Sequence, residues 1–366
     1  MESINRRQFL ETTLGIGAAA ALGTGVRLAS AQPASSPVAF FLIGDTHYLA
    51  EKEKPADLDE ESREVTGRLI ERLNTLPGTE IPVEAGGGKV AAIGAGDAGM
   101  RGVIHAGDVI DSGDKQGPGL KDMQQTEFAA FAADFGVTGK EGKLKLPVYE
   151  VHGNHDSPAG DGLAVGAIKE RNKKRAGLAN LSDNGLHYAW DWGHVHFVNL
   201  GIVVGGDKTV ERKRRYNPLD SLAFLIDDLK KNVGDSGKPV VLTHHIDVSR
   251  YSQACDAQTP PKGSPEWDPC DVRAYYDALK PYRVAAILFG HTHVRKVARW
   301  DGTPKEPKDG GLTFFNTDNV SHFASETQGL MYFEIGAKEL VAREVVTKDR
   351  WQNLAWTPQV WRVALG

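Results

Sequence analysis

The sequence predicts an α/β protein built as a sandwich of two β-sheets flanked by helices. Two observations lead there. Short apolar runs each end in a polar, glycine-containing turn, and their order is β-α-β-α-β followed by β-rich segments. A length of 366 residues suits one large domain, and no internal repeat or low-complexity linker divides it. With 40% hydrophobic and 25% charged residues, the composition is that of an ordinary globular protein.

The elements follow in chain order. Val38 to Ile43 is a short apolar run feeding Gly44-Asp45, the pattern of a buried strand entering a loop. Leu58 to Leu76 has helical spacing and stops at Pro77-Gly78. The glycine-rich stretch Gly86 to Gly99 lacks the Gly-Lys-Ser/Thr of a phosphate-binding loop and reads as a surface insert. It precedes the strand Gly102 to Ala106, so it belongs at the end of the sheet away from the chemistry. Phe128 to Phe135 reads as helix, Pro147 to Val151 as strand and Ala164 to Ala176 as a basic helix. Leu186 to Leu200 alternates like a hairpin, and Leu219 to Val233 is an amphipathic helix. Val240 to Leu242 and Val284 to Phe289 are strands separated by a long Pro/Gly-containing excursion, 246–281. Strands between Leu312 and Val346 close the domain. The core is expected over 38–347, with Trp351, Trp356 and Trp361 in a C-terminal strap, 348–366.

Residues 1–31 read as an export signal preceding a domain at 32–366. Arg6-Arg7-Gln8-Phe9-Leu10 is a twin-arginine pattern, followed by a 13-residue apolar stretch from Leu14 to Val26 and a small-x-small site, Ala29-Ser30-Ala31. The twin-arginine export machinery is therefore an expected partner, and the periplasm or exterior the expected location. The apolar stretch is too short to span a bilayer comfortably, so no transmembrane segment is expected after processing. An oxidising compartment would permit a disulfide between Cys255 and Cys270, the expected state, with two free buried thiols as the alternative. The net charge of −5 provides no basic field for nucleic acid.

The chemistry is concentrated in five motifs, each just after a strand-like run. They are Gly44-Asp45-Thr46-His47, Gly107-Asp108-Val109-Ile110-Asp111, Gly153-Asn154-His155-Asp156, His244-His245, and Gly290-His291-Thr292-His293. Loops at the carboxyl ends of parallel strands can converge. Together these supply Asp, Asn and His side chains in the number two neighbouring metal ions need. The set is all nitrogen and oxygen, which suits Mn, Fe, Zn, Co or Ni.

The motifs and their order resemble the calcineurin-like metallophosphoesterase superfamily. The resemblance implies an αββα sandwich and a phosphatase or phosphodiesterase acting on mono- or diesters by attack of a metal-bridging hydroxide. It implies that Asp45, His47 and His293 hold one metal, that Asn154, His244 and His291 hold the other, and that Asp108 bridges them. His244 is preferred to His245 because related proteins ligate through the first His of a His-x-Pro turn, although Ile246 here replaces the Pro. His155 is expected to protonate the leaving oxygen or stabilise the transition state, with Asp111 as its partner. His105 and His152 at strand ends, and His187, His194 and His196 in the hairpin, are expected to be structural. The basic clusters Lys169 to Arg175 and Arg212 to Arg215 read as solvated faces.

Departures from the pattern narrow the branch. Asp111 stands where purple acid phosphatases need a Tyr, and Ser112 where protein Ser/Thr phosphatases carry an Arg. The chain is too short for the substrate domain of exported 5′-nucleotidases. A small or lipid-derived phosphate ester is the expected substrate class. A non-catalytic binding module on the same fold, or a nuclease, are the alternatives.

Overall fold

Six strands form one sheet and seven the other in the computed structural model, which describes residues 36–365 apart from 207–214, 257, 260–261, 263–264, 323–324 and 326. The expected signal segment and Arg212–Arg214 lie outside the described residues. At the centre of the first sheet is β1 (Val38–Ile43), parallel to β2 (Met100–His105), which is parallel to β3 (Val148–Glu150). On the other side β1 pairs antiparallel with β11 (Gln328–Ile335), then β12 (Glu339–Thr347) and β13 (Ala355–Ala364).

The second sheet runs β4 (Leu178–Leu181), β5 (Tyr188–Trp192), β6 (Val195–Asn199), β7 (Val240–Thr243), β8 (Val284–Phe289), β10 (Leu312–Asn316) and β9 (Lys296–Trp300). Strands β6, β7, β8 and β10 are parallel. The hairpin β5–β6 forms where strict alternation predicted it.

Strand parity sorts the apolar side chains into three layers. Phe40, Leu42 and Ile104 of the first sheet meet Phe197, Val241 and Leu288 of the second in the layer between the sheets. Phe41, Ile43 and Val103 face outward onto the helices α1 (Glu60–Thr75), α2 (Leu120–Asp134) and α3 (Gly162–Lys173). Leu242, Ile287 and Phe289 face outward onto α4 (Ser221–Asp228) and α5 (Pro269–Leu279). This is an αββα sandwich. Helix α1 starts where the Asp59 carboxylate accepts from Ser62 N–H at 2.8 Å, satisfying one donor that the first turn leaves unpaired.

Two elements were not foreseen as such. The 246–281 excursion contains α5, announced by Asp268-Pro269: the Asp268 carboxylate caps Cys270 N–H at 2.8 Å and the proline occupies the first turn. Cys255 and Cys270 are disulfide-bonded, closing the loop that leads into that helix. The C-terminal segment pairs as β13 on the sheet edge, and Trp351 is fully buried, its Nε1 donating to Val320 O at 2.6 Å. Among the described residues, no helix is long and apolar enough to cross a membrane.

Candidate metal centre

All five motifs lie on loops that leave the carboxyl ends of parallel strands: β1, β2 and β3 from one sheet, β7 and β8 from the other. Asp45, His47, Asp108 and His293 bring donor atoms within 4.8 Å of one another, and so do Asp108, His245 and His291. Asp108 belongs to both groups. Asn154 joins the second, its Oδ1 lying 3.1 Å from His245 Nε2.

The histidine tautomers fit cation binding. His47 Nδ1 is 3.1 Å from the Asp111 carboxylate, so its N–H goes there and its Nε2 faces inward, 3.1 Å from His293 Nε2 and 3.6 Å from Asp108 Oδ2. His245 Nδ1 donates to Ala106 O at 2.7 Å, which turns Nε2 toward Asp108 Oδ2 at 3.1 Å. His291 Nε2 is 3.1 Å from Glu266 Oε1, leaving Nδ1 as its acceptor nitrogen. Lone pairs thus converge where a protein by itself would place donors. Among the described residues, every ion-pair partner of Asp45 and Asp108 is a histidine. Burial would push the His245 pKa down, but Asp108 and Asp45 lift it to about 9, so without a cation Nε2 holds a proton, and its lone pair becomes available when a cation replaces that proton.

The backbone is also bent to serve these side chains. Asp45 (φ 57°), His47 (φ 43°), Asp108 (φ 54°), His291 (φ 73°) and His293 (φ 53°) all adopt the left-handed region. That region is costly for residues with a Cβ and persists where the surroundings enforce it, commonly at functional sites. Two glycines of the motifs are steric necessities. A Cβ at Gly290 would lie 2.4 Å from Asp45 Oδ2, and one at Gly153 would lie 2.2 Å from Asp108 Oδ1.

Residues 38–295 match the calcineurin-like phosphoesterase family model. The chain belongs to the calcineurin-like phosphoesterase family. Membership supports a metal-binding hydrolase of phosphoesters. Solved structures resemble the chain at low identity. A dimetal phosphatase from Danio rerio is 13% identical, with a TM-score of 0.48 over 90% of this chain and 99% of that one. GAP50, the anchor in the inner membrane complex of Plasmodium, is 12% identical with a TM-score of 0.43 over 88% of each chain. Vacuolar Protein Sorting 29 from Cryptosporidium parvum is 12% identical with a TM-score of 0.33, covering 90% of this chain and 99% of that one. No curated protein sequence matches the chain.

Two expectations drawn from the resemblance do not match the geometry of this calcineurin-like phosphoesterase. The first concerns His244. Its ring is fully buried against Trp267, Tyr275 and Phe289, away from the centre, and burial pushes its pKa down to about 3. His245 takes the place at the centre. Side chains alternate along β7, so His244 continues the outward face of Val240 and Leu242, and His245 the inward face of Val241. The second concerns Asp111. Its carboxylate is held by His47 and by Lys115 Nζ at 2.6 Å and lies within 4.8 Å of a His155 ring nitrogen, but the hydrogen bond to His155 Nδ1, at 3.1 Å, comes from the Asp111 backbone carbonyl.

Other residues at the site were assigned no role from the sequence. The Asp156 carboxylate accepts from Gly153 N–H at 2.7 Å and from Val109 and Ile110 N–H at 3.0 Å, tying the second and third motifs together. Glu266, from the disulfide-closed loop, bonds His291 and pairs with Arg250 and Arg215. His322 packs its ring on His47 and His293, with centroids 4.7 and 4.6 Å apart. Of the histidines expected to be structural, His105 bonds Thr46 Oγ1 at 3.0 Å, and His196 lies between Asp191 and Asp228 at 2.7 Å each.

Proposed function

We propose that the protein is a binuclear-metal phosphoesterase that hydrolyses phosphate mono- or diesters. The observation that carries this reading is the convergence of inward-facing donors from five loops, with Asp108 common to both groups. In this reading Asp45, His47, Asp108 and His293 hold one divalent or transition metal ion, and Asp108, Asn154, His245 and His291 hold the other. A pair of ions supplies, when bound, a water acidified toward neutrality and charge withdrawal from the phosphoryl oxygens.

The chain's own residues do the rest. Asp111 and the Ala106 carbonyl fix the tautomers of His47 and His245. His155 N–H donates to Asp108 Oδ1 at 2.8 Å, which sets the imidazole beside the centre. Its Nδ1–H is spent on the Asp111 carbonyl, so in the imidazolium form Nε2–H is the group that delivers a proton to the leaving oxygen, leaving the ring neutral. The substrate is a small or lipid-derived phosphate ester. Elemental analysis of protein purified without chelators, together with assays against mono- and diester panels, tests the proposal. Two ions per chain and turnover of one ester class are expected. One ion or none, or no turnover of either class, sinks it.

Residues 1–31 are proposed to route the protein through twin-arginine export, on the sequence pattern around Arg6-Arg7. Replacing both arginines with Lys should trap the precursor inside the cell, and mature protein should begin near Gln32. Normal export of the double variant would exclude this route.

A further inference from the structure

His322 lies beyond the segment that matches the family model, on the loop between β10 and β11. That loop is docked firmly onto the first motif. Val320 N–H donates to Gly44 O at 3.1 Å, and Ser321 Oγ donates to Thr46 O at 2.8 Å. Buried Asn319 accepts from His322 N–H at 3.0 Å and donates to Ser325 Oγ at 3.0 Å. The backbone that carries His322 is therefore tied to the loop that carries Asp45 and His47. Its ring, half-buried, packs on both His47 and His293.

The donor atom of His322 comes within 4.8 Å of those of His47 and His293, yet it joins no group with Asp45 or Asp108. Ligands of one ion sit at about 2.0–2.2 Å from it, so any two lie within about 4.4 Å of each other. A residue grouped with the two histidines but not with the carboxylates stands beside the coordination sphere. A phosphoryl group held on that side of the centre would meet it. An imidazole there can donate an N–H to a phosphoryl oxygen.

We propose that His322 is a substrate-contacting residue of this site, binding a non-bridging phosphoryl oxygen from a loop outside the family-matched segment. The inference rests on the binuclear reading above. Inorganic phosphate, the simplest ligand with that chemistry, is the probe. Wild-type, His322→Ala and His322→Asn proteins are loaded with the same metal, counted by elemental analysis and titrated with phosphate by calorimetry. Both variants should keep two ions. His322→Ala should bind phosphate about 10–100-fold more weakly, the usual worth of one hydrogen bond to a charged group, with a matching fall in kcat/KM. His322→Asn, which keeps an N–H donor, should recover part of the loss.

Unchanged phosphate affinity in both variants would overturn the proposal, and so would loss of one ion, which would make His322 a ligand. Equal losses in both variants accompanied by a lowered melting temperature would show a structural role and overturn it too. A wild-type protein holding fewer than two ions would defeat the binuclear reading and this inference together. Two ions in every variant with unaltered phosphate binding would defeat this inference alone.

Discussion

Asp108 and Glu150 are both buried carboxylates at the ends of neighbouring strands, and the chain treats them differently. Glu150 meets two guanidinium groups from the end of α3 and its following turn. Arg171 Nε lies 2.6 Å from Oε1, and Arg175 reaches Oε2. Burial would raise its pKa, but the two arginines hold it down at about 2. Among the described residues, Asp108 pairs only with imidazoles and one backbone N–H. Burying a charge is expensive unless it is paired. At Glu150 the chain supplies the counter-charge itself and gains structure. At Asp108 the counter-charge is a proton held on His245, one that a bound cation can replace, and that exchangeable charge distinguishes a binding centre from a structural ion cluster.

The sharpest test of this contrast is the pair His244 and His245. His245→Phe should reduce metal affinity by more than the about 10–100-fold that losing a supporting partner costs, and should abolish turnover. His244→Phe should keep both ions and change stability by less than about 1.5 kcal/mol, since one ring replaces another of similar size in an aromatic pocket. Metal content and melting curves decide it. The opposite result would place His244 at the centre and undo the assignment.

Glu150→Ala should do the reverse, leaving metal content intact but destabilising the fold by about 3–5 kcal/mol, because two buried guanidiniums lose their partner. Its pH signature has a definite sign. The folded pKa of about 2 lies below the ordinary 4.5, so the stabilisation is fully present above pH 4.5 and is lost as pH falls through about 2. Glu150→Gln should flatten that part of the acid unfolding profile. Metal loss in either variant, with stability unchanged, would erase the distinction between the two carboxylates.

A smaller effect is expected at Glu266, which orients His291 from the disulfide-closed loop. Glu266→Gln should weaken metal binding by about 10–100-fold without unfolding the protein, as losses of outer-shell partners do. Competition with a chelator of known affinity measures it. Unaltered affinity would show that the His291 ring is held by packing alone.

The αββα architecture and the loops carrying the centre were legible in the sequence. Apolar runs ending in Gly-Asp, Gly-Asn or Gly-His announce a strand feeding a tight turn, and their order declares an alternating α/β core. The glycines were legible as motif members, but only the structure shows that Gly290 and Gly153 are required because a side chain would strike Asp45 and Asp108. Helix α5 was hidden inside the 246–281 excursion, although Asp268-Pro269 is a readable start signal. The parity of Val240, Leu242 and His244 was also readable. What it could not say was which face of β7 looks toward the other sheet, because a two-residue repeat defines two faces without naming them. That was decided by Trp267 and Tyr275 packing over the outer face, from the excursion and α5. Glu266 and His322 lie on loops with no motif, far in sequence from the residues they touch. Sequence periodicity reports local geometry, and only tertiary packing brings such distant loops to one point.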